Sequence, residues 1–115
     1  MPAVRICIVG GGSPYMTSMF ASLAHHARKG ALAGSEVVLH DINEENVRFM
    51  CEWGRAGAKH DGIPLTFRYE MNQAKALDGS DFVLSCFRTG GLQARFLDET
   101  IPEKYQELGN ETVGI

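Results

Sequence analysis

The chain lacks a basic charge excess, a long apolar run and a cysteine framework. Each absence removes a class of function. Lys and Arg total 11 against 14 Asp and Glu, for a net charge of -3. No basic surface therefore favours nucleic acid or an acidic membrane. No apolar run approaches the ~20 residues that a spanning helix needs. The N-terminus reads as a strand containing Arg5, not as a leader, and a cytoplasmic location is expected. Cysteine is scarce and odd in number, with Cys7, Cys51 and Cys86 far apart in apolar stretches. That pattern excludes a disulfide frame or a zinc site and predicts buried thiols in a reducing compartment. The histidines, His25, His26, His40 and His60, show no metal-ligand spacing and read as surface or structural residues.

What is present is ordinary in amount and specific in order. The 115 residues are 44% apolar and 22% charged, enough for one domain with a core. "AVRICIV" (3–9) predicts a strand buried on both faces of a parallel sheet, with only Arg5 interrupting. A stripe of Met16, Met19, Phe20, Leu23, Ala24 and Ala27 predicts a helix over 14–29, with Pro14 at its first position. Gly30 and Gly34 fit its end and the following turn. "EVVLHDI" (36–42) predicts the second strand, and Asn43 caps a helix running to about residue 60. Its inward residues are Val47, Met50, Cys51 and Trp53, while Gly54 and Gly57 weaken its second half. Residues 64–70 read as a strand, 72–78 as a short helix, and "DFVLSCF" (81–87) as a buried strand. A helix from about residue 92 should break at Pro102. The alternation of strands and helices predicts an α/β, Rossmann-like, doubly wound parallel sheet with helices on both faces.

"IVGGGSPYM" places Gly10, Gly12 and Ser13 between the first strand and the first helix. Glycines there let a backbone approach a pyrophosphate. Tyr15 stands where G-x-G-x-x-G has its third glycine, so the context carries more weight than the string. Asp41 ends the second strand, where a carboxylate accepts hydrogen bonds from both ribose hydroxyls of an adenosine. It repels a 2′-phosphate and no arginine adjoins it, which favours NAD over NADP. Against this stand the plain readings, a tight turn and a helix cap.

"IVGGGSPYMTSMF", "EVVLHDI", "DFVLSCFRTGGLQARFLDETIPEKY" and "LGNETVGI" together resemble the N-terminal domain of glycoside hydrolase family 4. The resemblance runs from residue 4 to about 114. Its most specific part is "FRTGGLQAR" followed by "DETIPEKY", a pair that generic Rossmann domains do not carry. It departs at "GNET", where Asn110 replaces the family's glutamine, and at Val113, where the family continues with glycines. The family comprises NAD- and divalent-metal-dependent glycosidases, among them 6-phospho-α- and 6-phospho-β-glucosidases and α-galactosidases. The resemblance implies hydride removal from C3 of the sugar onto NAD, loss of the acidified C2 proton, elimination, addition of water and return of the hydride. The metal, Mn2+ being the expected ion, polarises the C2 and C3 oxygens. This is an exception to two-carboxylate glycosidase chemistry.

Carried over residue by residue, Gly10, Gly12 and Ser13 match the dinucleotide loop and Asp41 the ribose acid. Arg88, Thr89, Gly90 and Gly91 should lie along the cofactor near the sugar. Arg95 and Asn110 match positions at the substrate, Arg95 at its 6-phosphate, and Glu111 matches a catalytic glutamate. The plain readings leave Arg95 on a solvated helix, Arg88 paired with Asp78 or Asp81, and Glu111 in a patternless tail. The family's metal ligands and tyrosine base lie beyond the matched segment. The chain is therefore expected to be one domain, residues 1–115, of a longer homo-oligomeric enzyme, truncated before the catalytic and metal domain and inactive alone. Its substrate would be a small phosphorylated sugar. Two alternatives are a stand-alone NAD-binding or redox-sensing module and a piece of a lactate- or malate-type dehydrogenase. An apolar surface at Phe96, Leu97 and Ile101 predicts self-association.

Overall fold

The computed structural model describes residues 2–109. Four parallel strands form one sheet: β1 Arg5–Val9, β2 Ser35–His40, β3 Leu65–Tyr69 and β4 Phe82–Ser85, in the order β3-β2-β1-β4. The connections are helical: α1 Met16–Arg28, α2 Glu44–Asp61 and α3 Gln73–Leu77; α4 Gly91–Thr100 follows β4 and runs into a 3₁₀ turn, Ile101–Tyr105. The order reverses between β1 and β4. In doubly wound sheets that switch point is where ligands bind.

Pairing is in register throughout, with Ile6, Cys7 and Ile8 of β1 opposite Val37, Val38 and Leu39 of β2. Side chains alternate between the two faces. One face carries Ile6, Ile8, Val37, Leu39, Leu65 and Phe67, packed against Met16, Phe20 and Leu23 of α1 and Val47, Met50 and Cys51 of α2. Fourteen buried residues form that cluster, against three (Cys7, Val38 and Ala76) on the other face. At about 1.5–3 kcal/mol for each large apolar side chain, the α1–α2 face dominates the stability of the sheet.

Local chemistry explains the helix ends. Asn43 accepts a hydrogen bond from Asn46 N at 3.0 Å, and Glu44 and Glu45 sit at the positive end of α2, a favourable arrangement. Gly62 closes that helix at φ 65°, a left-handed cap. Asn72 caps α3 through Lys75 N. Gly54 is buried, and a Cβ there would sit 3.0 Å from both the Phe20 and Phe67 rings. Those rings touch, with centroids 4.8 Å apart.

Several expectations need correction. β1 is not buried on both faces by apolar side chains alone. Arg5 joins Glu36 and Arg68 in an ion network on the thinly covered face, with Arg68 Nε 2.6 Å and Arg5 Nε 3.5 Å from Glu36 Oε1. β4 is not a buried strand: Phe82 is 55% and Val83 52% exposed, because it is an edge strand and α4 does not cover it. α4 buries no residue and packs mainly against the 3₁₀ turn after it. Phe96, Leu97 and Ile101 are accordingly exposed, as expected. Pro14 is not the first helical residue, since α1 starts at Met16. Trp53 does not point fully inward; it is 45% exposed and stacks on Phe20 at 5.9 Å. Cys7 and Cys51 are buried, but Cys86, near the sheet's edge, is only partly so.

Candidate functional site

The three glycines after β1 each meet a different neighbour. Gly10 N and Gly11 N both donate to the carbonyl of His40, at 2.8 and 2.9 Å, which ties the turn to the end of β2. Gly10 holds φ 96°, and a Cβ on it would run into the backbone carbonyl of Cys86 beyond β4. A Cβ on Gly11 would lie 2.7 Å from Leu39 Cβ, and one on Gly12 2.8 Å from Asp41 Oδ2 and 3.1 Å from Val47 N. The strand thus ends in a notch walled by β4, β2 and the start of α2, passable only without side chains. Ser13 follows, and its Oγ accepts from Tyr15 N at 3.2 Å. Tyr15 is 75% exposed, so its ring at the third-glycine position points away from the packed interior.

Asp41 lies one residue past β2 and faces this loop. Its Oδ2 accepts from Gly12 N at 2.9 Å. Its Oδ1 accepts from Ile42 N at 2.7 Å and from Asn43 N at 3.3 Å. A carboxylate offers about four lone-pair positions, so three hold backbone N–H groups and one remains for a ligand. The sequence pointed to Asp41 as a ribose acceptor. It gave no sign that the same carboxylate also braces the glycine loop.

His40 adds a structural support that the spacing of histidines did not suggest. It is buried, and its Nδ1 lies 2.9 Å from the Glu70 carbonyl. Its own carbonyl takes both glycine N–H groups. The signal available was its place as the last residue of β2, directly before Asp41.

The second group of expected residues follows β4. Arg88 and Thr89 are exposed, and Gly90 and Gly91 have φ 81° and 63°. These left-handed residues turn the chain into α4, beside the β1–β4 switch point. Asp81, which the plain reading offered to Arg88, accepts from Arg5 N at 2.8 Å and so helps to tie β4 to β1. Arg95 lies on α4, with Nε 3.0 Å from Glu99 Oε1 and both side chains about two-fifths exposed. The structure thus brings Gly10, Gly12, Ser13 and Asp41 into one place and sets Arg88, Thr89 and Gly90 on the adjoining turn. Asn110 and Glu111 lie outside the described residues. Among the described residues no group of three or more His, Cys, Asp or Glu could hold a metal ion, and no helix is long and apolar enough to cross a membrane.

A separate cavity of about 230 Å3 lies between α1, α2 and β3, lined by Phe20, Trp53, Phe67, Gly57, Thr17 and Asp61 among others. It is mainly apolar and does not include the glycine loop.

Comparison with known proteins agrees with this geometry. A family model described as "Family 4 glycosyl hydrolase" matches residues 5–115. The phospho-alpha-glucosidase of Clostridium acetobutylicum is 32% identical over 115 residues, 99% of this chain and 25% of that protein. The 6-phospho-beta-glucosidase of Thermotoga maritima is 29% identical over 116 residues, 97% of this chain and 26% of that protein. A solved structure of a Thermotoga maritima 6-phospho-beta-glucosidase with NAD and glucose-6-phosphate superposes with a TM-score of 0.83 and 29% identity, covering 98% of this chain and 26% of that one. A 6-phospho-alpha-glucosidase from gut microorganisms, in complex with NAD and Mn2+, gives a TM-score of 0.80 at 31% identity, covering 96% of this chain and 25% of that one. The chain therefore spans about a quarter of the length of the curated relatives it matches.

Proposed function

The chain belongs to family 4 of the glycosyl hydrolases, and from that premise we propose that it is the NAD-binding part of an NAD- and metal-dependent glycosidase acting on 6-phosphoglycosides. The observation that carries the reading is the side-chain-free notch at the sheet's switch point, bordered by Asp41 with one acceptor position left. A dinucleotide fits such a place: the pyrophosphate needs close backbone approach, and the adenosine ribose needs an acceptor. The named substrates of several relatives, 6-phospho-α- and 6-phospho-β-glucosides, support the phosphorylated class.

In this reading NAD, when bound, supplies a hydride acceptor beside the sugar, and the protein positions the two. Gly10 and Gly12 admit the pyrophosphate to the backbone. Asp41 takes a ribose hydroxyl and disfavours a 2′-phosphate, giving NAD over NADP. Arg88, Thr89 and Gly90 line the cofactor's path toward the sugar. Arg95 meets the 6-phosphate, for which it must leave Glu99; a guanidinium fork suits that anion. Asn110 and Glu111 complete the sugar's surroundings, Glu111 near the reacting carbons. The metal's ligands belong to a different part of the protein, as the family resemblance implies. The chain alone has no glycosidase activity, and the whole protein works in the cytoplasm as a homo-oligomer.

The test has two stages. Calorimetric titration of the chain with NAD and NADP should show saturable binding of NAD and much weaker binding of NADP. The whole protein should release nitrophenol from a nitrophenyl 6-phosphoglucoside only with NAD and Mn2+ present. Turnover that survives complete removal of NAD would refute the reading.

A further inference from the structure

The glycine loop is braced by a carboxylate just past β2. Asp41 bridges two segments that the sequence separates by a helix and a strand, the glycine turn after β1 and the turn before α2. One oxygen receives Gly12 N at 2.9 Å, and the other receives Ile42 N at 2.7 Å and Asn43 N at 3.3 Å. Gly12 has no side chain to anchor it. The wall around it is the Asp41 carboxylate itself, with Asn46 and Val47 behind. No other hydrogen bond from the described residues fixes the Gly12 amide; the neighbouring Gly10 and Gly11 amides go to His40 and Ser13 N to Gly10 O.

We infer that Asp41 is a positioning residue for the glycine loop, in addition to its proposed contact with the ribose. It fixes the Gly12 backbone through the Gly12 N–H to Oδ2 bond. An acceptor charged as Asp41 is makes a stronger hydrogen bond than a neutral one. Glycine has the most conformational freedom to lose on ordering. A loop already ordered by Asp41 spares the dinucleotide that ordering cost on binding. The inference rests on the NAD-binding reading only for its last step; the brace itself concerns the ligand-free protein.

Two substitutions grade the brace. Asp41→Ala removes both acceptor oxygens, and Asp41→Asn keeps one, which can serve Gly12 N–H or the Ile42 and Asn43 N–H groups but not both. Amide hydrogen exchange followed by NMR on the ligand-free chain reads the brace directly. The Gly12 amide should be protected in the unsubstituted chain. Protection should fall about tenfold or more in Asp41→Ala, equivalent to about 1.4 kcal/mol, and by an equal or smaller factor in Asp41→Asn. NAD affinity should then decrease in the order Asp41, Asn, Ala. A Gly12 amide that exchanges in the unsubstituted chain as fast as in an unstructured peptide would overturn the brace without any variant, so the test survives a variant that does not fold. Gly12 protection left unchanged by Asp41→Ala would also overturn it. If Gly12 is protected as expected and NAD does not bind, the brace stands and the NAD-binding reading fails.

Discussion

Alanine at Gly10 should be strongly destabilising. The native residue sits at φ 96°, where an L side chain costs about 1–2 kcal/mol. The new Cβ would overlap the Cys86 carbonyl oxygen and lie 2.5 Å from its carbon and 3.0 Å from Phe87 N. Those atoms are backbone, so no side chain can rotate away. Contact at an ordinary 3.4 Å requires the carbonyl carbon to retreat by roughly 0.9 Å. That movement pulls on the hydrogen bond from Cys86 N to Val9 O, 2.8 Å long, which closes the β1–β4 ladder. Overpacking of this kind costs about 1–3 kcal/mol, and the lost hydrogen bond about 1 more. Together the loss is about 3–6 kcal/mol, out of the ~5–15 kcal/mol typical of a domain. Urea unfolding with linear extrapolation measures it, and a thermal scan should show Tm lower by about 10 °C or more. A loss below about 1 kcal/mol would mean that Gly10 does not sit against β4, and the notch proposed for the cofactor would go with it.

Four smaller effects follow from the same geometry. Gly57 is helical, and a Cβ there would meet open space, with nothing within 4 Å, so Gly57→Ala should stabilise by about 0.5–1 kcal/mol in the same urea assay. Asn43→Ala removes the α2 cap to Asn46 N and should cost about 1 kcal/mol, with circular dichroism checking that the helix persists. Burial pushes the Cys7 and Cys51 thiols above their ordinary value; their contribution to stability is fully present below about pH 8.5 and is lost as pH rises through the raised values. Urea unfolding between pH 8 and pH 10 should therefore show falling stability, with a shallower fall in Cys51→Ala; an unchanged slope would count against the buried thiol. Asp41 keeps acceptor capacity for one hydroxyl, so NAD analogues lacking one or the other adenosine ribose hydroxyl should differ in affinity by about tenfold, and equal losses would contradict that.

The alternation of strand and helix was legible because the strands of a parallel sheet are short apolar runs, and the helices between them carry clear stripes or caps. Asn43 announced α2 as a capping residue, whereas the cap that Asn72 gives α3 went unread. β4 misled because "DFVLSCF" reads the same whether a helix covers the strand or not: burial is decided by neighbours, and the strand's own residues do not encode them. Arg5 is the opposite case. Its charge within an apolar strand looked like an interruption, yet Glu36 and Arg68 sit beside it on the same face, a pairing visible only once register is known. At the candidate site the residue types were legible and their double duties were not. Gly10, Gly12 and Asp41 could be named from their places after the first and second strands, but that Asp41 reaches Gly12 depends on how β2 lies against β1.

The contact of Asp41 with Gly12 bears on why three successive glycines stand here when a dinucleotide would need fewer. A pyrophosphate asks for close backbone approach at one or two positions. The protein asks for all three: Gly10 yields to Cys86, Gly11 to Leu39, and Gly12 to Asp41 and Val47. Three flexible residues in a row would ordinarily make a loose loop, since each has more conformations to lose than any other residue. The loop is instead tied at each end of that run, by His40 O to Gly10 and Gly11 and by Asp41 to Gly12. Tight packing excludes the side chains, and hydrogen bonds from β2 and the turn after it restore the order that their exclusion removes. A ligand arriving at the switch point then meets a backbone whose shape is set by the protein's own packing.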